Sequence, residues 1–113
     1  MIIGSISENK DIEKRISITP DLIGKYKKVG FKIILENNYG NHIGFSDQEY
    51  EKEGCEFFAR EEIVTKSDII IQLNLPSDEI LKNFKPNQNL IGIFNVHENN
   101  DKLKKLFEKK INV

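Results

Sequence analysis

The chain has a single cysteine, Cys55, among its 113 residues. One cysteine excludes an internal disulfide framework and a metal centre built from several thiolates. Long apolar runs are also missing, and none approaches the roughly 18 residues that a membrane-spanning helix needs. Charge of one sign is not in excess, because 17 Lys and Arg stand against 18 Asp and Glu. Nucleic-acid-binding domains are usually clearly basic, so this balance argues against that class of protein.

Motifs with a direct chemical meaning are scarce as well. No GxGxxG follows a predicted strand, and the glycines at 40 and 44 lack the Lys-Ser/Thr that completes a phosphate-binding loop. His42 and His97 are far apart, and no carboxylate spacing points to a metal site. The residues alone therefore predict no catalytic group and no metal site in this chain. We expect Cys55, at the start of an apolar stretch, to be buried and unreactive.

What the sequence does contain is a regular alternation of apolar strands and helical patterns. Strands are predicted at residues 2–6, 31–36, 55–58, 68–73 and 90–94, with helices between them. This order predicts parallel strands joined by crossover helices that cover both faces of the sheet. The expected fold is α/β, a Rossmann-like or flavodoxin-like three-layer α-β-α arrangement with a mostly parallel sheet.

The first helix and the loop that follows its strand carry the clearest local signals. Thr19 is predicted to cap the helix and Pro20 to open it, and Gly30 suits a left-handed C-cap. The apolar stripe of this helix is predicted to contain Leu22, Ile23, Tyr26 and Val29. Residues 37–44 are rich in Asn and Gly, which predicts an exposed flexible loop.

The second half of the chain has its own start and stop signals. Ser46, with Glu49 three residues later, predicts a capping box, and Gly54 predicts the end of that helix. A last helix is predicted to carry Leu103, Leu106 and Phe107. It leads into residues 111–113, which are too few to complete another strand. We therefore expect residues 1–113 to be one domain that is incomplete at its C-terminus, part of a two-domain protein.

The order of these motifs resembles a known domain. RISITP at residues 15–20, VGF at 29–31 and the glycine-containing stretch 40–47 follow the first strand as they do in the N-terminal domain shared by alanine dehydrogenase and the transhydrogenase alpha subunit. The resemblance covers essentially residues 1–113. The positions that match its pattern are Glu8, Arg15, Thr19, Pro20, Gly30, Phe31, Glu36, Gly40, Asp47 and Gly54.

The resemblance implies a substrate-binding role for Arg15. Alanine dehydrogenases hold the substrate carboxylate with an Arg, matched by Arg15, and with a Lys in a stretch like LKVKEP. Here that stretch is IQLNLP at 71–76, where Asn74 replaces the substrate Lys and Gln72 the other Lys. The missing ammonium removes a charge-assisted hydrogen bond, worth about 1.5–3 kcal/mol. Judged from the residues alone, Arg15 either binds a carboxylate or phosphate or forms an ordinary surface ion pair, and the ion pair is favoured.

LNLP at 73–76 is similar instead to the VNAP of the transhydrogenase branch. The resemblance then implies the NAD(H)-binding alpha component of a proton-translocating NAD(P) transhydrogenase. NADP would sit on a beta or NADP-binding partner component, and membrane components would couple hydride transfer to proton movement. NAD would be bound mainly by a further domain beyond Val113, through which a homodimer would also form. The implied location is cytoplasmic and peripheral to the inner membrane, without direct membrane insertion, and this stretch alone would be inactive.

Two alternatives stay open at this point. One is the N-terminal domain of an amino-acid dehydrogenase of the alanine or saccharopine type. The other is a non-catalytic α/β binding module. His97 lies about one residue out of register with the active-site His of alanine dehydrogenase, so no role is carried over to it.

Overall fold

The computed structural model describes residues 1–8, 11, 13–74 and 76–92, with only the backbone described at residue 78. Within these residues, five parallel strands form one sheet in the order β3-β2-β1-β4-β5. The strands are β1 (Ile2–Ser5), β2 (Lys32–Glu36), β3 (Glu56–Phe58), β4 (Ile69–Ile71) and β5 (Asn89–Ile91). The helices are α1 (Pro20–Lys28), α2 (Asp47–Lys52), α3 (Arg60–Lys66) and α4 (Asp78–Leu81). The predicted α/β fold with a parallel sheet is confirmed.

The sheet is covered on both faces, as the continuous apolar strands predict. Ile34 faces one cluster of buried side chains, while its neighbours Ile33 and Leu35 face the other. The first cluster contains α3 and α4 residues, among them Ile63, Val64, Ile80 and Leu81. The second contains Ile23 of α1 and Tyr50 of α2. Two helices therefore pack on each face, which gives the three-layer arrangement.

Helix α1 corrects two local predictions. Pro20 opens the helix as expected, but the Thr19 side chain makes no capping bond. Its carbonyl instead accepts the N–H of Leu22 at 3.0 Å, one of the donors that a capping side chain would serve. Val29 is not part of the buried stripe, because the helix ends at Lys28 and Val29, its C-cap, is 70% exposed.

The glycine stop signals and the second cap are confirmed. Gly30 and Gly54 follow α1 and α2 with φ values of 96° and 99°, the left-handed region that favours glycine. Ser46 caps α2, since its Oγ accepts the Glu49 N–H at 3.3 Å. The predicted strand at 90–94 corresponds to β5, but its last residues lie outside the described residues. So does the predicted helix carrying Leu103, Leu106 and Phe107. None of the described helices is long and apolar enough to cross a membrane.

Candidate functional site

Polar side chains gather where the strand order of the sheet reverses. Along the chain, β2 and β3 are added on one side of β1, whereas β4 and β5 are added on the other. In open parallel sheets, ligands bind at such a switch point, in the region outside the carboxyl ends of the strands that is called the crevice. Here those ends belong to β1 and β4, and they are followed by residues 6–8 and 72–74. We call these two segments, together with Glu13 and Arg15, the switch-point cluster.

Gln72, the residue after β4, joins the two segments. It is 2% exposed, and its side chain lies between the strands' ends. The Oε1 atom accepts the N–H of Ile6 at 2.7 Å, and Nε2 donates to the Ile6 carbonyl at 3.0 Å. Nε2 also donates to Oε2 of Glu8 at 2.8 Å. A single buried amide thus binds both backbone groups of Ile6 and a carboxylate.

Glu8 holds the turn after β4 through its carboxylate. Its Oε2 accepts the N–H of Leu73 at 2.9 Å, and its Oε1 accepts the N–H of Asn74 at 3.1 Å. Burial raises the pKa of Glu8, since the low-dielectric surroundings disfavour the charged form, while the two backbone donors pull the pKa back down. All of these bonds run toward the carboxylate, so the arrangement fits its ionised form.

Glu13 and Arg15 form the outer part of the cluster. The guanidinium donates from Nε to Oε1 of Glu13 at 3.0 Å and from Nη2 to Oε2 at 2.9 Å. Asn74 adds a bond from Nδ2 to the same Oε2 at 3.3 Å. Hydrogen bonding to Arg15 lowers the pKa of Glu13 to about 2. The Arg15 side chain remains 74% exposed. The ion pair favoured from sequence is present, and a ligand contact of Arg15 stays a prediction.

The loop at residues 37–44 is exposed as predicted, except at Tyr39 and Gly40, which are buried. Tyr39 is the residue that the prediction missed. It is fully buried, and residues 41–43 form a single 3₁₀ turn. Its hydroxyl lies 2.8 Å from Oγ of Ser5 and accepts the N–H groups of Ser17 and Ile18 at 3.1 and 3.3 Å. The sequence did contain one indication, because a tyrosine ring has a large apolar area to bury and its hydroxyl can find a partner when it does so.

Tyr39 and a second tyrosine hold the segment that carries Arg15. Tyr50 of α2 is fully buried, and its hydroxyl donates to the Ile18 carbonyl at 2.8 Å. The two rings pack edge to face with centroids 6.0 Å apart. His42, which is exposed, contacts the Lys14 carbonyl through Nε2 at 2.9 Å. The chain just before α1 is therefore anchored at residues 14, 17 and 18, on either side of Arg15.

Cys55 is buried as predicted, with 6% exposure. Burial, reinforced by Asp47 and other nearby carboxylates, raises the pKa of the thiol to about 12, so the nucleophilic thiolate is suppressed. His97 lies outside the described residues. Among the side chains that are described, no three His, Cys, Asp or Glu groups are arranged to hold a metal ion.

The switch-point cluster does not fit the diphosphate of a nucleotide. Phosphate sites in such folds use a glycine-rich turn whose backbone N–H groups face the ligand. Here β1 is followed by Ile6, Ser7 and Glu8, and the N–H groups of Leu73 and Asn74 are already taken by the Glu8 carboxylate. A nucleotide phosphate would meet that negative charge directly.

A doubly wound parallel sheet with this polar crevice defines a Rossmann-like α/β domain. Residues 4–113 match the family model described as "Alanine dehydrogenase/PNT, N-terminal domain", and the chain belongs to this family. The resemblance stated from the sequence is thereby confirmed. All residues of the switch-point cluster lie within the matched range.

Relatives from both branches of the family are similar to this chain. The alpha subunit of NAD(P) transhydrogenase from Haemophilus influenzae is 34% identical over 113 residues, which is 100% of this chain and 22% of that protein. Alanine dehydrogenase 1 from Staphylococcus aureus is 31% identical over 108 residues, 96% of this chain and 29% of that enzyme. This chain therefore spans less than a third of the length of either relative.

Solved structures agree with the fold. A crystal structure of transhydrogenase from Sinorhizobium meliloti superposes with a TM-score of 0.91 at 22% identity, over 98% of this chain and 33% of that one. An L-alanine dehydrogenase superposes with a TM-score of 0.89 at 19% identity, over 98% of this chain and 31% of that one. At these identities, the likeness shows the shared fold.

Proposed function

We propose that this chain is the N-terminal part of the NAD(H)-binding alpha component of a proton-translocating NAD(P) transhydrogenase. The complete protein would pass hydride between NAD(H) and the NADP(H) of a partner component, coupled to proton translocation by membrane components. The identities to the two branches, 34% and 31%, are too close to choose between them. The choice rests on the composition of the switch-point cluster.

The observation that supports the transhydrogenase branch is the charge of that cluster. Its bonded side chains include two carboxylates, Glu8 and Glu13, and one guanidinium, Arg15. Asn74 contributes a neutral amide where an alanine dehydrogenase resembling this chain would have an ammonium. A 2-oxo acid would have to displace the Glu13 carboxylate from Arg15. Its own carboxylate would then lie near those of both Glu8 and Glu13. Like charges repel one another, so a substrate carboxylate would bind poorly beside Glu8 and Glu13.

The domain's own contribution would be a rigid wall of the cofactor cleft. Since the cluster does not fit a diphosphate, NAD would be held mainly by a further domain, which would also form a homodimer. The hydride chemistry belongs to the nicotinamides, and the protein supplies their orientation. Attachment to the inner membrane would be peripheral, through the partner components.

Two assays on the complete gene product test this function. We expect hydride transfer from NADH to an NADP⁺ analogue once the NADP-binding component is added, and no NADH oxidation with pyruvate and ammonium. We also expect this 113-residue stretch alone to bind NADH at best very weakly. NADH oxidation driven by pyruvate and ammonium, lost on Arg15→Ala, would establish the amino-acid dehydrogenase alternative instead. Submillimolar NADH binding by the isolated stretch would contradict the division of labour between the domains.

A further inference from the structure

The contact between β1 and β4 changes character at the crevice. Backbone pairing registers Ile3 with Ile69 and Gly4 with Ile70. Beyond these pairs, side chains carry the contact. Oγ of Ser5 donates to the Ile71 carbonyl at 2.6 Å, and the Gln72 amide bonds both backbone groups of Ile6. The Gln72 side chain thus takes the place of a neighbouring strand's backbone. It offers the end of β1 one hydrogen-bond donor and one acceptor.

The same amide starts a chain of bonds that reaches Arg15. Nε2 of Gln72 fixes the Glu8 carboxylate, and that carboxylate fixes the N–H groups of Leu73 and Asn74. With the backbone of Asn74 fixed, its side chain reaches Oε2 of Glu13. Glu13 in turn holds Arg15 by two side-chain bonds. The bonds from Gln72 to Glu8, from Glu8 to Leu73 and Asn74, and from Asn74 to Glu13 each join residues 61 or more positions apart in sequence. The last bonds, between Glu13 and Arg15, join near neighbours in sequence.

We propose that Gln72 is a positioning residue for the crevice, and that its amide fixes, through Glu8 and Asn74, the ion pair between Glu13 and Arg15. This inference deepens the proposed function and rests on it for its catalytic consequence. It concerns a position where the alanine dehydrogenases that this chain resembles have a Lys. A Lys could donate to Glu8 but could not accept the N–H of Ile6, so the amide performs a task that an ammonium cannot.

The chain offers a matched control in Gln88. This glutamine is also buried, at 6% exposure, and its Nε2 donates to the carbonyls of Val64 and Ser67 at 2.6 and 2.8 Å. Its Oε1 accepts the N–H of Lys85. It precedes β5, at the amino ends of the parallel strands, whereas Gln72 follows β4 at their carboxyl ends. Replacing either glutamine by Met removes a buried amide, with four hydrogen bonds at Gln72 and three at Gln88, but only one of the two amides belongs to the crevice.

The experiment measures how fast phenylglyoxal modifies Arg15 in the complete protein, by peptide mass mapping. Arg60, which is bonded to Glu36 at 3.0 and 3.2 Å, serves as the internal reference. In Gln72→Met we expect modification of Arg15 relative to Arg60 to rise by about twofold to tenfold, the shift that one lost hydrogen bond of ordinary strength produces. In Gln88→Met the ratio should stay unchanged, although both variants should unfold at lower temperature. Glu8→Gln, which disturbs the next link and keeps the side-chain volume, should repeat the rise.

An unchanged ratio in Gln72→Met or in Glu8→Gln, or an equal rise in Gln88→Met, would overturn the positioning role.

Kinetics provide the second readout. We expect Gln72→Met to lower kcat for hydride transfer more than Gln88→Met at the same residual stability, and equal kcat values would remove the catalytic consequence. The labelling experiment needs no activity. A protein without transhydrogenation but with the labelling contrast would refute the proposed function and leave the positioning role standing.

Discussion

Arg15 and Glu13 are joined by two parallel hydrogen bonds. Nε of Arg15 donates to one carboxylate oxygen at 3.0 Å and Nη2 donates to the other at 2.9 Å. Such fork-shaped pairing has more directional specificity than a single contact. It leaves the guanidinium largely exposed while both oxygens of the carboxylate are engaged. An anion that approached Arg15 would therefore have to compete with Glu13 for the guanidinium.

The first prediction is a pH dependence that is specific to Glu13. Its pKa falls from 4.5 to about 2 on pairing with Arg15. A lowered folded-state pKa stabilises the fold above pH 4.5, and this contribution is lost as the pH falls toward 2. Glu13→Gln should thus be less stable than the original chain at neutral pH, and the gap should close on acidification. Denaturant unfolding at a series of pH values measures the gap.

The control for this titration is Glu62→Gln, which removes an exposed carboxylate lying 3.9 Å from Lys66 on α3. Exposed pairs of this kind contribute little, so stability should hardly change at any pH. A gap for Glu13→Gln that stays constant with pH would show that the ion pair is not its source.

The second prediction concerns two glycine-to-alanine substitutions that we expect to change the free energy of unfolding in opposite directions. A Cβ on Gly4 of β1 would collide with Oγ of Ser67 and lie 2.8 Å from Cγ2 of Ile63 on α3. Gly4→Ala should therefore cost about 1–3 kcal/mol, as overpacking does. Gly24 lies in α1, where a Cβ would meet the flexible end of Glu53 at 3.2 Å and no other atom of the described part of the chain within 4 Å. Gly24→Ala should gain about 0.5–1 kcal/mol. Chemical denaturation of both variants tests the pair, and a neutral Gly4→Ala would contradict the close approach of α3.

The third prediction compares two buried hydroxyls. Tyr39→Phe leaves the N–H groups of Ser17 and Ile18, and Oγ of Ser5, without that partner. Among the residues that the structure describes, Tyr50→Phe leaves only the Ile18 carbonyl without it. Unpaired buried groups cost about 1–3 kcal/mol, so Tyr39→Phe should be the more destabilising of the two. Both changes keep the ring, which makes equilibrium unfolding a direct comparison. Equal losses would show that the extra partners of Tyr39 contribute nothing.

The fourth prediction is that Cys55 does not react in the folded protein. Burial raises the pKa of its thiol to about 12 from 9.0. At about pH 8 we expect almost no alkylation by iodoacetamide, and rapid alkylation once denaturant is added, because an exposed thiol titrates near pH 8.5. Peptide mapping identifies the site, and the denatured chain is the control. Labelling of the folded protein at the denatured rate would place the thiol at the surface.

The elements of this fold were predictable because their signals are local. Alternation of apolar strands with helical patterns gave the parallel sheet, and glycines after α1 and α2 marked both helix ends. Side-chain periodicity and backbone preferences act within a few residues, so neighbours in sequence suffice to read them. The prediction for Val29 was wrong because the helix ends at Lys28, and boundaries are the least certain part of a pattern. Thr19 occupies the N-cap position as predicted, and only its side-chain bond is missing.

The switch-point cluster was decided by tertiary structure. Gln72 and Glu8 are 64 residues apart, and Tyr39 bonds a segment more than 20 residues away. Pairing over such distances depends on the strand order, which places β1 beside β4, and no periodicity encodes that order. The sequence by itself determined which segments are strands and helices, and through its family motifs where Arg15 belongs. Only the folded sheet decided that Arg15 is paired with Glu13 and that a glutamine holds the crevice together.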